Sequence, residues 1–274
     1  MSTRLRSPRC LVVALVALWP VVSTGQVKVI MSGGFFAAYQ QLLPEFEKGT
    51  GITVITARGP SQGDGPTTIG AQLRRGLSAD MVIMNREGLE GLISEGRVIA
   101  GTVVDIADVP LGLAVRYGTI KPDIATVEAF KHTLLEAKSI ASDSSALIFV
   151  KSTLLRQLGV AGAVAAKVAD KDAAAVARGE CDVVILPVSE LLHVPGVDFV
   201  GKLPAEIQHV SVFSAAIVTV ATEMEASKKL IAFLTSEKAT AAIRKAGMEP
   251  SRPRSTRMPR LPVTAPRAPT GRTR

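Results

Sequence analysis

Residues 27–55 read VKVIMSGGFFAAYQQLLPEFEKGTGITVI, a stretch that carries two apolar strands on either side of a helix. The first strand, Val27–Met31, is broken by the small residues Ser32-Gly33-Gly34. The segment between the strands places apolar side chains on one face at helical spacing, namely Phe35, Tyr39, Leu42, Leu43 and Phe46. Glycines at 49 and 51 end that helix before the second strand begins. The stretch therefore predicts a parallel β-α-β unit.

The same alternation of strand and helix signals continues outward from this unit to about residue 245. Short apolar runs at 81–84, 138–141 and 181–186 lie among segments whose apolar residues have helical spacing. The pattern predicts an α/β fold in which mainly parallel sheets are flanked by helices. We expect a single helix over residues 226–245 at the end of this pattern.

Two longer apolar runs, at 103–115 and 210–220, flank the middle third of the chain. Extended runs of this length are suited to strands that cross between two lobes. We therefore expect lobe 1 to consist of residues 26–104 plus 215–250 and lobe 2 of residues 105–214. A single continuous doubly wound sheet is the alternative.

The first 25 residues have the composition of a secretory signal. Arg4, Arg6 and Arg9 precede an apolar run from Cys10 to Trp19, and small or polar residues follow at 23–25. The apolar run is short for a bilayer span, so a cleaved signal is favoured over an uncleaved anchor. We expect residues 1–25 to be removed and the rest of the chain to be exported to the periplasm.

The net charge of +8 does not describe the folded body. The signal contributes three arginines and residues 251–274 contribute seven, with no acidic residue in either piece, so residues 26–250 carry a net charge of −2. This balance, with aromatic residues at 4%, argues against a nucleic-acid-binding surface. The Pro- and Arg-rich tail, 251–274, is expected to be disordered.

The reactive side chains form no recognisable catalytic or metal-binding motif. Cys181 is expected to be a buried thiol without a disulfide partner, and no metal-ligand spacing is present. The histidines, which lie away from the strand–helix junctions, are His132, His193 and His209. The carboxylates left as possible bases are Asp64, Glu87 and Asp143, for which a solvated loop position is the simpler interpretation.

Three strand–helix junctions are rich in glycine or serine, and ligands of parallel α/β sheets bind at such junctions. They are Ser32-Gly33-Gly34, the loop around Ser61, and Asp143-Ser144-Ser145. Free N–H groups at a helix start, together with serine hydroxyls, donate hydrogen bonds to an anion. The alternative is that these serines only cap helices and the glycines only form turns.

Arginines just beyond two strands, Arg58 and Arg86, are suited to clamp a carboxylate in a bidentate manner. The predicted ligand-binding residues are Ser32, Gly33, Gly34, Ser61, Arg86, Ser144 and Ser145. We expect a small anion as ligand, with no cofactor, no metal and no nucleic acid as partner.

Several stretches between residues 27 and 250 resemble the molybdate-binding-protein-like family of bacterial periplasmic solute-binding proteins. They are Val29–Gly34, Leu42–Glu47, Ala79–Met84, Ala177–Ile185, Phe233–Ser236 and Ala246–Pro250. The resemblance implies the type II binding-protein fold, with two lobes, two crossing strands and a ligand enclosed by hinge closure. It also implies that a monomeric protein delivers its ligand to an ABC permease.

The Ser-Gly-Gly loop, the Gly59-Pro60-Ser61 loop and the Asp143-Ser144 junction resemble a branch of this fold that works as aconitate isomerase. The first hypothesis is therefore an exported binding protein that traps a molybdate-like oxyanion or an organic acid between two lobes. The alternative is a cofactor-free isomerase that interconverts cis- and trans-aconitate, which needs a base and clamps for carboxylates. A third hypothesis, the effector domain of a transcriptional regulator, is disfavoured because the N-terminus carries a secretory signal and no DNA-binding segment.

Overall fold

The computed structural model describes residues 25–251 of the 274-residue chain. The predicted signal and the predicted basic tail therefore lie outside the described residues, apart from Gly25 and Ser251. Among residues 25–251, none of the helices combines the length and the hydrophobicity that a membrane span requires.

The described residues form the strands β1 (Gln26–Met31), β2 (Thr53–Arg58), β3 (Met81–Asn85), β4 (Val104–Arg116), β5 (Ile140–Ser142), β6 (Val168–Asp170), β7 (Val183–Pro187), β8 (Val197–Lys202), β9 (Val210–Ile217) and β10 (Glu249–Pro250). They also form the helices α1 (Phe36–Thr50), α2 (Ile69–Arg74), α3 (Arg86–Ser94), α4 (Val127–Glu136), α5 (Ser144–Phe149), α6 (Leu155–Gln157), α7 (Ala161–Val164), α8 (Ala173–Ala177), α9 (Met224–Leu234) and α10 (Glu237–Lys245). A π-helical turn, Val150–Leu154, joins α5 to α6.

The strand order is β2-β1-β3-β9-β4-β7-β5-β6, with β8 and β10 also paired to β4. Strand β1 is parallel to β2 and β3, and β5 is parallel to β6 and β7. We call β2, β1, β3 and β9 the first half of the sheet, or first sheet, and β7, β5 and β6 the second half, or second sheet. The long strand β4 takes part in both halves, because Val104–Pro110 pairs with β9 and Leu111–Val115 pairs with β7. The predicted α/β binding-protein fold, a sheet flanked by helices, is confirmed. The sheet is mixed, because the pairings of β4 and β9 are antiparallel. The lobe boundaries stay predictions.

Three buried clusters form the cores of the two halves, and their membership follows the strand periodicity. On the first sheet, Val27, Val29 and Met31 of β1 face α1, α9 and α10, whereas Ile30 faces α2 and α3. The second sheet has one large core that includes Phe130, Ile185 and Leu186. Both faces of the first sheet are thus covered, which explains why β3 is buried along its whole length.

An aspartate precedes a buried strand in each half, and it accepts hydrogen bonds from the backbone of a neighbouring segment. Asp80 accepts hydrogen bonds from the backbone N–H groups of Lys28, Thr222 and Glu223 at 2.8–3.0 Å. Burial alone raises the pKa of Asp80, but these bonds outweigh it and lower the pKa overall. In the second half, Asp182 accepts from the Lys138 N–H at 2.7 Å. The sequences Asp80-Met81-Val82-Ile83 and Asp182-Val183-Val184-Ile185 therefore play equivalent parts.

The helix expected over residues 226–245 is two helices, α9 and α10, separated at Thr235 and Ser236. The Thr235 hydroxyl donates to the carbonyl of Ile231 at 3.0 Å, and the Ser236 hydroxyl donates to that of Phe233 at 2.7 Å. Side-chain bonds of this kind compete with the helical ladder and end α9. Ser236 then occupies the cap position of α10.

Candidate functional site

Residues from five strand ends lie where the two halves of the sheet face each other, a place that we call the cleft. The residues that follow or end these strands are Ser32 after β1, Arg58 at the end of β2, Asn85 and Arg86 at β3, Asp143 after β5, and the turn Val188–Glu190 after β7. The turn Gly33–Phe35 contacts the turn Val188–Glu190 across this cleft. The strand-end rule for parallel sheets therefore places the site where the two halves face each other.

Gly33 and Gly34 allow Glu190 to reach the backbone of the first half. A methyl group on Gly33 would lie 3.4 Å from Glu190 Oε2 and 3.5 Å from Arg58 Nη2. A methyl group on Gly34 would overlap the ring of Phe213 and lie 3.0 Å from Glu190 Oε1. The close approach of the Phe213 ring therefore requires glycine at position 34, whereas a methyl group on Gly33 would make contacts of ordinary length.

The Glu190 carboxyl group is held in an environment that disfavours its charge. Burial raises the pKa of Glu190 to about 8, and the nearby Asp143 carboxylate raises it further, whereas the Arg58 guanidinium lowers it. Burial also raises the pKa of Asp143, to about 6, with added contributions from Asp170 and Asp172. Two neighbouring carboxyl groups with separated pKa values share one proton between those values, as acid–base pairs do.

Arg58 is the guanidinium beside this pair. Its Cζ lies 4.0 Å from the centroid of the Phe36 ring, so one face of the guanidinium is covered by the ring. The edges of the group stay accessible, and they carry the N–H donors that bind a carboxylate in a bidentate manner. Arg58 can therefore bind one end of an anionic ligand next to Glu190.

Several buried polar atoms at the site have no hydrogen-bond partner within the protein. They are Ser32 Oγ, Asn85 Nδ2 and Ser189 Oγ, all on strand ends around the cleft, together with Arg86 Nε, which lies 3.6 Å from Glu90 Oε1 in an ion pair. The Ser61 hydroxyl accepts the Asn85 N–H at 3.2 Å and keeps its own hydrogen for donation. Buried donors normally have partners, so this concentration is suited to an anionic ligand that supplies the acceptors.

The Asp143-Ser144-Ser145 junction carries backbone strain. Ser144 has a φ of +48°, a conformation that serine rarely adopts. Asp143 precedes α5 but makes no capping hydrogen bond, so its carboxyl group is available to the cleft. Strained backbone of this kind is found preferentially at functional sites.

Arg86 lies on the side of the crossing strands. Its Nη1 is 2.5 Å from Asp105 Oδ1, and the Ser214 hydroxyl donates to the same oxygen at 2.7 Å. The guanidinium is therefore engaged with β4 and β9, and it is Arg58 rather than Arg86 that adjoins Glu190. A direct contact between Arg86 and the ligand stays a prediction.

The sequence model of the bacterial extracellular solute-binding proteins matches residues 27–249 of the chain. The chain belongs to this family. An aconitate isomerase from a Pseudomonas species is 35% identical over 241 residues, which cover 86% of this chain and 91% of that protein.

Solved structures of binding proteins share the fold at low sequence identity. The periplasmic molybdate-binding protein of Azotobacter vinelandii has a TM-score of 0.67 and 20% identity, over 82% of this chain and 100% of its own. The sulfate-binding protein SubI of Mycobacterium tuberculosis has a TM-score of 0.65 and 17% identity, over 84% of this chain and 88% of its own. The resemblance predicted from the sequence is confirmed, and family membership implies a small-molecule ligand.

The structure brings most of the predicted site residues to one cleft edge. Ser32, Gly33 and Gly34 adjoin the turn after β7, Ser61 is bonded to Asn85, and Ser144 and Ser145 begin α5. Their part in ligand binding stays a prediction. Of the carboxylates considered as bases, Asp64 and Glu87 are exposed to solvent, whereas Asp143 faces the cleft.

Glu190, Ser189 and Asn85 were not among the residues predicted from the sequence. The sequence does contain a pattern that points to them, because Pro187-Val188-Ser189-Glu190 lies at the end of a buried apolar strand. Glu190 was not predicted because the turn that contains it has neither a glycine nor an amphipathic helix after it.

Among residues 25–251, no group of three His, Cys, Asp or Glu side chains is arranged to hold a metal ion.

Proposed function

We propose that the protein is an isomerase of an aconitate-type tricarboxylate, and that the Asp143–Glu190 pair moves the proton. The observation that carries the proposal is this pair of neighbouring carboxyl groups with pKa values of about 6 and about 8, next to Arg58. The relationship to an aconitate isomerase over nearly the whole chain supports the same reaction.

Two carboxyl groups are difficult to explain in a site that only stores an oxyanion. Each carboxylate repels an anionic ligand, and the single positive charge of Arg58 does not compensate for two carboxylates. A proton-transfer enzyme has a use for them, because one group must accept a proton while the other donates one. Between the two pKa values the pair carries about one proton, so both functions are available at once.

The reaction is a proton shift along an allylic system and is redox-neutral. The Asp143 carboxylate removes a proton from the methylene carbon next to a substrate carboxylate, and that electron pair forms a new double bond to the central carbon. The electrons of the old double bond move to the far carbon, which takes the proton of Glu190. Arg58 and the unpartnered donors Ser32 and Asn85 hold the carboxylates and stabilise the charge that develops on them.

The test is to incubate the purified protein with cis- or trans-aconitate and follow their interconversion by absorbance. We expect turnover well above the uncatalysed rate, lost in Asp143→Asn and in Glu190→Gln. The matched controls are Asp64→Asn and Glu87→Gln, which neutralise exposed carboxylates and are expected to leave turnover unchanged. Absence of turnover by the wild-type protein would reject the isomerase.

A binding protein of an ABC-type uptake system is the second candidate. The serine-bearing strand ends and the shared fold with molybdate- and sulfate-binding proteins favour it. Thermal unfolding with molybdate, sulfate and aconitate separates the candidates, because a ligand at 100 times its Kd adds ~2.7 kcal/mol of stability. Stabilisation by an oxyanion without aconitate turnover would establish this function, with an ABC permease as partner. In both cases family membership and the predicted signal support a periplasmic location.

A further inference from the structure

The turn that carries Glu190 is anchored at both of its ends, in different cores. Val188 is buried in the core of the first sheet, and Leu191 is buried in the core of the second. Glu190 lies between these anchors, on the single turn Val188–Glu190. Its position therefore depends on what holds this segment against the first half of the molecule.

The end of α10 is the part of the first half that holds it. A methyl group on Gly247 would lie 2.6 Å from Leu192 Cδ1 and 2.7 Å from Val188 Cγ1, so the segment packs directly on the glycine backbone. His193 Nε2 lies 3.2 Å from the carbonyl oxygen of Lys245, the last residue of α10. Gly247 also has a φ of +82°, a conformation that glycine adopts without strain.

These contacts oppose the tendency of Glu190 to move. A carboxyl group in an enclosed position near a second carboxylate gains free energy by turning toward water. The Glu190 carboxyl group lies against the glycine backbone at 33–34, and the Arg58 guanidinium acts on its charge. The turn also contacts β4 and the turn Gly33–Phe35, and the α10 contacts add a hold on the segment that directly follows Glu190.

We propose that the end of α10, through the backbone of Lys245 and Gly247, is the positioning element for Glu190. The proposal rests on the proposed isomerase function and extends it to a motif outside the cleft. It gives Gly247 of the Ala246–Pro250 motif a part in the reaction, because its backbone packs against Val188 and Leu192, while the Lys245 carbonyl just before the motif contacts His193.

The test is the double variant Leu192→Ala/His193→Ala, which removes both exposed contacts to α10. Leu192 is 37% exposed and His193 is exposed, so the fold is expected to persist. We expect kcat for aconitate to fall about tenfold to a hundredfold, with KM within twofold. The alkaline limb of the pH profile is expected to move to lower pH, because a mobile Glu190 is better hydrated.

The matched control is Leu135→Ala/His132→Ala on α4, where Leu135 is 40% exposed and His132 also makes one side-chain contact. We expect this control to leave kcat and the pH profile unchanged. Leu192→Met/His193→Gln, which restores an apolar side chain and a donor, is expected to recover most of kcat. An unchanged kcat in the first double variant, or a loss without movement of the alkaline limb, would overturn the proposal.

A second measurement does not depend on activity. The titration of Glu190 can be followed by carboxyl ¹³C NMR and assigned by the signal lost in Glu190→Gln. The groups that face Glu190 are Asp143 and Arg58, and both remain in the double variant. We expect the Glu190 pKa to fall in the double variant only. An unchanged Glu190 pKa in the double variant would reject the proposal that the end of α10 positions Glu190. A lowered Glu190 pKa in the double variant, combined with a wild-type protein that does not turn over aconitate, would reject only the isomerase function.

Discussion

Glu190 lies in the cleft because neighbours from distant parts of the chain enclose it. Its carboxyl oxygens lie against the glycine pair, its charge faces Asp143 and Arg58, and the adjacent Ser189 hydroxyl has no protein partner. A carboxyl group in such surroundings stays protonated to a higher pH than in water. This property makes Glu190 the acid of the proposed reaction.

The first prediction concerns the proton donated by Glu190. In Glu190→Gln the amide keeps the shape of the side chain but has no acidic proton, so kcat is expected to fall about 10²- to 10⁴-fold. Affinity for aconitate, measured by calorimetry, is expected to change by less than tenfold. A variant that retains more than a tenth of the wild-type kcat would show that another group supplies the proton.

The second prediction concerns stability. Because the folded-state pKa of Glu190 is raised from 4.5 to about 8, its carboxyl group contributes stability below pH 4.5 that is lost as pH rises through about 8. Glu190→Gln has no such loss, so its stability relative to the wild type should rise from pH 5 to pH 9 by about 4 kcal/mol, at about 1.4 kcal/mol for each pKa unit. Urea unfolding at both pH values measures this difference. Parallel pH dependence in the two proteins would contradict it.

At the scale of single elements, one end of a strand carries hydrogen-bond donors of the site, and the other end is held by an aspartate, Asp80 or Asp182. The loop between β2 and α2 brings the Ser61 hydroxyl to the backbone of Asn85, at the end of β3. The aspartates at the other ends of β3 and β7 bind the neighbouring strands. Function and stability are therefore divided between the two ends of the same strands.

The third prediction tests a donor. Ser61→Ala is expected to weaken aconitate binding by about 1–3 kcal/mol, because a buried hydroxyl that binds the ligand is lost. Ser94→Ala, at an exposed position in α3, is the control and should bind normally. Both variants are compared by calorimetry after their thermal unfolding shows a folded protein. Equal affinities would place the anion away from the β1–β3 edge.

The fourth prediction tests the aspartate that begins β3. Asp80→Ala is expected to destabilise the protein by about 2–4 kcal/mol, because several backbone N–H groups lose their acceptor. Since the pKa of Asp80 is lowered, its stabilisation is present at neutral pH and is lost as pH falls below 3.8. Urea unfolding at pH 7 measures the effect, with the exposed Asp64→Ala as control. A change below 0.5 kcal/mol would show that water replaces the carboxylate.

At the scale of the whole molecule, β4 connects the two halves by changing partners between Pro110 and Leu111. The cleft residues come from both halves, so relative movement of the halves alters the distance between Arg58 and Asp143. Enclosure of a ligand would exclude water from the carboxyl pair and strengthen every charge interaction there.

The fifth prediction concerns this enclosure. Aconitate is expected to slow hydrogen exchange in the turns Gly33–Phe35 and Val188–Glu190, which meet across the cleft. Helix α4, which lies away from the cleft residues, should exchange at the same rate with and without ligand. Exchange measured by mass spectrometry tests both statements. Protection spread equally over the chain would indicate general stabilisation without closure at this place.

The periodicity of apolar residues predicted most of the strands and helices and the α/β class, because a buried face leaves a local pattern of apolar residues. It did not predict the strands β6, β8 and β10. It also located the strand ends Ser32, Ser61 and Ser144, since glycine and serine mark the turns there. It did not separate α9 from α10, because bonds from Thr235 and Ser236 to the helix backbone leave the apolar spacing intact.

Only the tertiary structure decided which of these strand ends meet. The glycine pair and Glu190 are far apart in the sequence, and their contact depends on β4 and β9 joining the two halves. The raised pKa of Glu190 depends on enclosure by groups from both halves, and no local pattern encodes how much water a carboxyl group loses. The same holds for the end of α10, whose packing against the turn after β7 exists only in the folded chain.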